Sequence, residues 1–357
     1  MKKINVGVVG CGQIAQIAHL PYLQELPQFE IGALCDISSK VLETLGEKYK
    51  VKHLFTDFRD MVKREDLDAI LIANKNHALP AIAAMEAGKH VLVEKPIAFN
   101  LKQADEMIAS AARNKVKLMV GYMKRYDPAF ETAQKIITQM DRIFMIRVHD
   151  FAGTYQINHE IYDLVEASDL SSEIIEEVRK QDQTDMLQDI GKNRVDLLEA
   201  HDIMIHLAIH DINALHGIYG LPQKLIAASL FGSNMVTALF QYENGVHVMW
   251  ESGSLTTLVE WDEQIQVWGN DKRIEIRFPF PYLKNAPTIL LINENDGSSA
   301  IKKQITCSFD EAFKREWRHF YDCIVYDHEP RTSALEARKD LAFAVHLLKQ
   351  AAITKEG

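Results

Sequence analysis

The chain has 357 residues, too many for one small core and suited to two domains. Hydrophobic residues make up 47% and charged residues 25%, with a formal net charge of -10. That acidic balance argues against a nucleic-acid backbone or an anionic membrane surface as the main partner, and no run of about 18 apolar residues marks a transmembrane helix.

The opening Met1-Lys2-Lys3-Ile4-Asn5-Val6 enters a strand at once and lacks the apolar stretch of a signal peptide. Cys11, Cys35, Cys307 and Cys323 form no C-x-x-C pair, so neither a disulfide framework nor a zinc site is expected. Together these features read as a mature cytoplasmic protein with reduced thiols.

Residues 1–121 alternate short apolar runs with helical stretches. Strands are expected at Ile4–Val9, Glu30–Cys35, Ala69–Ala73, His90–Val93 and Lys117–Val120. Helices are expected over 13–25, 39–49, 77–87 and 101–114. This alternation predicts a parallel, doubly wound sheet. From residue 122 the pattern changes. A helix over 128–139 and a strand over 142–150 precede strands at Leu225–Phe231, Val236–Tyr242, Val246–Ser252, Gln264–Trp268 and Arg273–Phe278. Asn244-Gly245 joins two of them and is a strong hairpin signal. Helices over 309–326 and 333–352 follow. Residues 122–357 therefore read as an α+β domain with a large open, mostly antiparallel sheet. Within it, the polar and acidic stretch 155–200 is either a solvated insertion or a lid or subunit arm.

The first strand ends in Gly7-Val8-Val9-Gly10-Cys11-Gly12-Gln13-Ile14-Ala15, a G-x-G-x-x-A sequence between a strand and a helix. Gly10 permits the tight turn, Gly12 lets the backbone approach a pyrophosphate, and Ala15 lets helix and strand pack closely. The amides of Gln13 and Ile14 open a helix whose N-terminus attracts phosphate. In this context the pattern signals a Rossmann domain over 1–121. Asp36 ends the second strand, where a carboxylate accepts the ribose hydroxyls of NAD and repels the extra phosphate of NADP. Ser38, Ser39 and Lys40 follow and soften that repulsion. The expected cofactor is NAD(H).

The fourth strand runs into Glu94-Lys95-Pro96, after Asn74-x-x-His77 and Ala87-Gly88-Lys89-His90-Val91. With Ala18-His19-Leu20-Pro21, Gly121-Tyr122-Met123-Lys124-Arg125-Tyr126-Asp127-Pro128 and Ser333-Ala334-Leu335-Glu336-Ala337-Arg338, the chain resembles the glucose–fructose oxidoreductase / inositol dehydrogenase (Gfo/Idh/MocA) family over nearly its whole length except 155–200. The resemblance implies that Lys95 lies beside the nicotinamide and holds the reacting hydroxyl, where an ammonium stabilises alkoxide character. It places Asn74, His77 and Glu94 on the cofactor side, and Arg125 and Tyr126 near nicotinamide or substrate.

Families of this type carry a D-x-x-x-H-x-x-D helix with a glycine ten residues after the histidine. Here His210 takes the histidine position, Gly220 the glycine and Asn213 the second acidic position, while His206 replaces the first Asp. Asp202, His206, His210 and Asn213 recur every three or four residues on an otherwise apolar helix, as a stripe facing a cavity would. His210 is the expected general base, with His206 orienting it or binding a substrate hydroxyl. Two histidines at i and i+4 also have metal-ligand spacing. No third histidine is placed to complete such a site, and no metal is expected.

The resemblance implies oxidation of a secondary hydroxyl of a sugar, polyol or glycoside, carbon 3 of a glycoside being one form. The substrate is expected between the nicotinamide and the second domain's sheet. A redox-neutral glycosidase working on one tightly held NAD is an alternative, and a non-catalytic NAD-binding sensor another. Apolar residues on both faces of the second sheet, with Val246, Val248 and Trp250 on one and Met249 on the other, predict a homodimer or homotetramer through that sheet.

Overall fold

The computed structural model describes residues 2–255 and 257–354. The chain sorts into two compact units, each assembled from separate stretches of sequence. The first comprises Met1–Tyr122, His159–Asp189 and Phe313–Lys339; the second comprises Met123–Asn158, Ile190–Ala312 and Asp340–Gly357. Most of the acidic stretch 155–200, and one of the late helices, thus pack with the N-terminal residues.

In the first unit six strands form a parallel sheet: β1 Ile4–Val9, β2 Phe29–Cys35, β3 Leu54–Phe55, β4 Ala69–Ile72, β5 His90–Glu94 and β6 Leu118–Gly121. Their order is β3-β2-β1-β4-β5-β6. Covered on both faces, β4 and β6 read as unbroken apolar runs and are buried throughout. Each fully buried Ile or Leu there contributes roughly 1.5–3 kcal/mol. The strand order reverses between β1 and β4, and ligands of such sheets bind outside the carboxyl ends of the strands at this point. Gly10 sits there with φ +86°, and a Cβ on it would lie 2.2 Å from the Asn74 nitrogen. Only glycine fits between the two loops.

The helices start where local chemistry starts them. The Ser38 hydroxyl accepts from Val41 N–H and caps Ser39–Tyr49, and Asn100 caps Leu101–Asn114 through Gln103 N–H. Lys50 and Lys115 close these helices in the left-handed conformation.

The second unit holds a nine-stranded mixed sheet. Its strands are β7 Ile143–Ala152, β8 Lys224–Phe231, β9 Met235–Gln241, β10 His247–Ser254, β11 Asp262–Gly269, β12 Lys272–Phe278, β13 Ile289–Asp296, β14 Ser299–Thr306 and β15 Ala352–Thr354. The order is β14-β13-β12-β11-β7-β10-β9-β8-β15. β7 runs parallel to β10 and antiparallel to β11. Ile146, Val148, Val248, Trp250, Ile265 and Val267 form its buried face. The opposite face is mixed and not simply an apolar patch. Met249 is half exposed there and Trp268 partly so, but an Arg147–Glu251 pair, His149 between Glu251 and Asp262, and Glu275 between Arg273 and Arg277 share it.

The ends of the expected strands agree with the structure to within two residues. β3, β13, β14 and β15 were not expected. β14, Ser-Ala-Ile-Lys-Lys-Gln-Ile-Thr, lies at a sheet edge and is half polar, so its pattern carries little signal. The longest helix of the acidic stretch is Ser172–Ile190, preceded by the short helix Ile157–Ile161. Among the described residues no helix is long and apolar enough to cross a membrane.

Candidate active site

The glycine loop comes directly from β1. Gly12 is exposed, and nothing lies within 4 Å of where its Cβ would be. A helical rod begins at Gln13 and includes a π turn over Ala15–His19. The side-chain nitrogen of Gln13 and the side-chain oxygen of Asn74 are buried beside this loop without a hydrogen-bond partner among the described residues. Asp36 accepts from Cys11 N–H at 2.8 Å and from Ser38 N–H at 2.9 Å, which ties the glycine loop to the end of β2. Open space at Gly12, amides at a helix start, two unsatisfied amide groups and a carboxylate at the ribose position fit a dinucleotide. Ile14 is half-buried in the first turn.

Glu94, the last residue of β5, is buried. Trp317 Nε1–H donates to His19 Nδ1 at 3.1 Å, which leaves the proton of a neutral His19 on Nε2. That nitrogen lies 2.8 Å from Glu94 Oε1 and donates to it. Lys95 N–H donates to the other oxygen, Oε2, at 3.2 Å. Burial pushes the Glu94 carboxyl up, but the hydrogen bond from His19 and the neighbouring His19, Lys95 and His77 side chains outweigh it, so the group sits below its usual range. His77 Nδ1–H donates to the Pro96 carbonyl at 2.6 Å. Lys95 itself is half-buried, and its backbone is fixed on both sides. Local sequence assigns no role to His19 or Trp317, although His19 lies in the Ala18-His19-Leu20-Pro21 motif. A buried Glu316 stands nearby with neither carboxyl oxygen hydrogen-bonded among the described residues. Burial and the neighbouring Glu94 charge push it well above the carboxylate range, so it is neutral.

The stretch 159–189 is anchored along the carboxyl edge of the parallel sheet. The Gln16 side chain donates to Val165 O at 3.0 Å and accepts Val165 N–H at 2.9 Å. After β2, Ser38 Oγ–H and Lys40 N–H donate to Asp169, and Lys40 Nζ donates to Ser168 Oγ. After β4, Asn76 Nδ2 donates to Asp185. After β5, Asn100 donates to Asp185 O and Leu101 N–H to Asp189. The segment is therefore a strap across the ends of β1, β2, β4 and β5.

In the second unit Leu198–Ile203, Met204–Ala208 and Ile209–Tyr219 form one rod, whose middle piece is a π turn containing His206. Such wide turns cluster at functional sites. His206 and His210 are half-buried. His206 Nδ1 lies 3.0 Å from the Asp202 carbonyl and 3.2 Å from its carboxylate. With the proton on that nitrogen, Nε2 is the acceptor of the neutral ring. His201, one residue before Asp202, is buried; burial, with a smaller push from His206, takes it down to about 4, so it is neutral. The end of the stripe differs from the expected cavity-facing row. Asn213 is fully buried and donates to Asp340 Oδ2 at 2.6 Å, while its own oxygens accept from Arg125. Asn213 and Arg125 thus brace each other in the core of this unit. Tyr126 is also buried. The sequence reading did not single out Asp150, Asp211 and Glu263, whose carboxylates converge around Lys124 in this unit.

Residues 4–122 match the family described as "Oxidoreductase family, NAD-binding Rossmann fold", Gfo/Idh/MocA. Over this third of its length the chain is similar to that oxidoreductase family. Over 138 residues it is 31% identical to the uncharacterized oxidoreductase YrbE of Bacillus subtilis, covering 38% of this chain and 40% of that protein. Over 136 residues it is 29% identical to a myo-inositol 2-dehydrogenase of Thermotoga maritima, again 38% of this chain and 40% of the relative. The matched stretch spans less than half the length of these curated relatives. In fold, both chains superpose over 100% of their length with KijD10, a 3-ketoreductase from Actinomadura kijaniata solved in complex with NADP and TDP-benzene (TM-score 0.77, 17% identity). The apo scyllo-inositol dehydrogenase of Lactobacillus casei is similar over 98% of this chain and 96% of that one (TM-score 0.73, 18% identity).

The buried Glu316 gives the first unit a pH signature. Its proton is held in the folded chain and released near pH 4.3 in the unfolded one. Its stabilising effect is therefore complete below about pH 4 and is lost as pH rises towards the raised folded value. Glu316→Gln should melt a few degrees above the unmodified protein at pH 8 and level with it near pH 4, read by calorimetry. A difference that does not change with pH would contradict the assignment.

Proposed function

We propose that the protein is an NAD-dependent dehydrogenase that oxidises a secondary hydroxyl of an uncharged sugar, polyol or glycoside. The observation that carries this reading is Lys95, held at the carboxyl end of β5 by a buried carboxylate on one side and by His77 on the next peptide unit. Gly10, Gly12, Gln13, Ile14, Asp36, Asn74, His77 and Glu94 would hold the cofactor, and Asp36 favours NAD over NADP. When bound, the nicotinamide takes up the hydride. Lys95 binds the reacting oxygen and stabilises its developing charge. His210 is assigned the role of base, which typically contributes about 10²–10⁴-fold. His206, with its Nδ1 tied to Asp202, presents an acceptor nitrogen to a sugar hydroxyl, and the part-exposed Asp202 adds a further substrate contact. These side chains include no arginine cluster, which favours an uncharged substrate, and a glycoside oxidised at ring carbon 3 is one such case.

Lys95→Ala should lower turnover by about 10² or more while dinucleotide affinity stays within a few-fold, measured by steady-state rates and by titration. Turnover within tenfold of the unmodified protein would contradict the role.

His206→Asp should shift the pH profile. A carboxylate one turn from His210 favours the imidazolium and raises its pKa. The acidic limb of the oxidation rate should then move to higher pH and the ranking of substrates should change. An unchanged profile and ranking would remove His206 from the site.

We also propose that a second copy of the chain covers the outer face of the nine-stranded sheet, where Met249 and Trp268 lie among ion pairs. Light scattering at micromolar concentration should give a dimer or tetramer; a monomer would contradict it.

A further inference from the structure

The helix Ser39–Tyr49 begins immediately after the Asp36 loop, and its first turn is an anion-binding arrangement. Ser38 offers a hydroxyl, Lys40 a backbone N–H and an ammonium, and the dipole end of the eleven-residue helix adds positive potential. Any group carried on the 2′-oxygen of a ribose held by Asp36 would arrive at these donors. In this chain they are already engaged. Asp169 Oδ1 accepts Ser38 Oγ–H at 2.5 Å and Oδ2 accepts Lys40 N–H at 3.1 Å. Ser168 Oγ takes the Lys40 ammonium at 2.8 Å. The hydrogen bonds from Ser38 and Lys40 lower the Asp169 carboxyl, which keeps it ionised at neutral pH.

We propose that Ser168 and Asp169 are cofactor-specificity determinants: the strap's carboxylate occupies the anion site at the start of this helix and closes it to nucleotides bearing a 2′-phosphate. Two features make the occupant effective. The strap is tethered a few residues earlier by the two-way Gln16–Val165 contact, so Asp169 stays near its donors and an incoming phosphate must displace it. Asp36 stands two residues before Ser38, so a dianionic phosphate would meet two carboxylates. Ser38, Ser39 and Lys40, which by sequence soften the repulsion of a phosphate, are in part committed to the chain itself.

This inference rests on reading the carboxyl edge as a dinucleotide site, and its test separates the two. Calorimetric titration of the full chain with ADP and with 2′,5′-ADP gives a ratio of dissociation constants that does not depend on turnover. Asp169→Ala should shift that ratio towards 2′,5′-ADP by about tenfold or more. Asp169→Asn keeps the shape and an acceptor oxygen but removes the charge, and should shift it in the same direction. A ratio unchanged in both variants, with ADP still bound, overturns the role of Asp169. Binding of neither ADP nor NAD by the unmodified protein overturns the dinucleotide reading itself.

Discussion

A carboxylate buried at the end of a parallel strand is the constraint on which the first unit turns. Glu94 remains charged out of water because His19 and the Lys95 amide donate to its two oxygens. Leaving such a group without a donor costs on the order of 1–3 kcal/mol or more. Meeting that demand fixes other features. Trp317 must donate its indole N–H to His19 Nδ1 so that the far nitrogen of the ring can donate. The Lys95 backbone is pinned in meeting the same demand, which aims its side chain from a rigid strand end instead of a loose loop. Glu316 cannot share the negative charge, and it stays protonated.

Much of this was legible in the sequence where the signal is local. Strand and helix alternation over 1–121 gave the parallel sheet, and Gly10 needed only its neighbours to be recognised as a turn residue. The Glu94-Lys95-Pro96 run marked the candidate site. What was not legible is made by distance. His19 and Glu94 are 75 positions apart, and Trp317 is 298 positions from His19. No spacing rule connects them. Periodicity misled at Asn213. The stripe Asp202, His206, His210, Asn213 assumes a regular 3.6-residue helix, whereas a π turn over Met204–Ala208 interrupts it. The last member of the stripe turns into the core and pairs with Asp340 and Arg125.

The acidic stretch shows the same limit differently. Its composition marks it as polar and helical but says nothing of where it lies. In the structure its carboxylates are spent on particular donors: Asp169 on Ser38 and Lys40, Asp185 on Asn76, Asp189 on Leu101 N–H. Buried Asp182, Asp185 and Met186 form its inner side, while Ile174, Ile175 and Val178 stay on the outside. A segment that reads as either a solvated insertion or a lid or arm is in the structure a strap along the carboxyl edge of a doubly wound sheet.

The central claim is that this chain moves a hydride from a carbinol carbon to a nicotinamide. The most direct measurement mixes the purified protein with NAD and a panel of inositols, sugars and glycosides deuterated at each ring carbinol in turn. Mass analysis of the recovered nicotinamide follows. The account predicts net accumulation of reduced, singly deuterated nicotinamide with at least one member of the panel and one labelled carbon. Cleavage of a glycoside with no net reduced nicotinamide, or no label transferred from any substrate although NAD is bound, would contradict it.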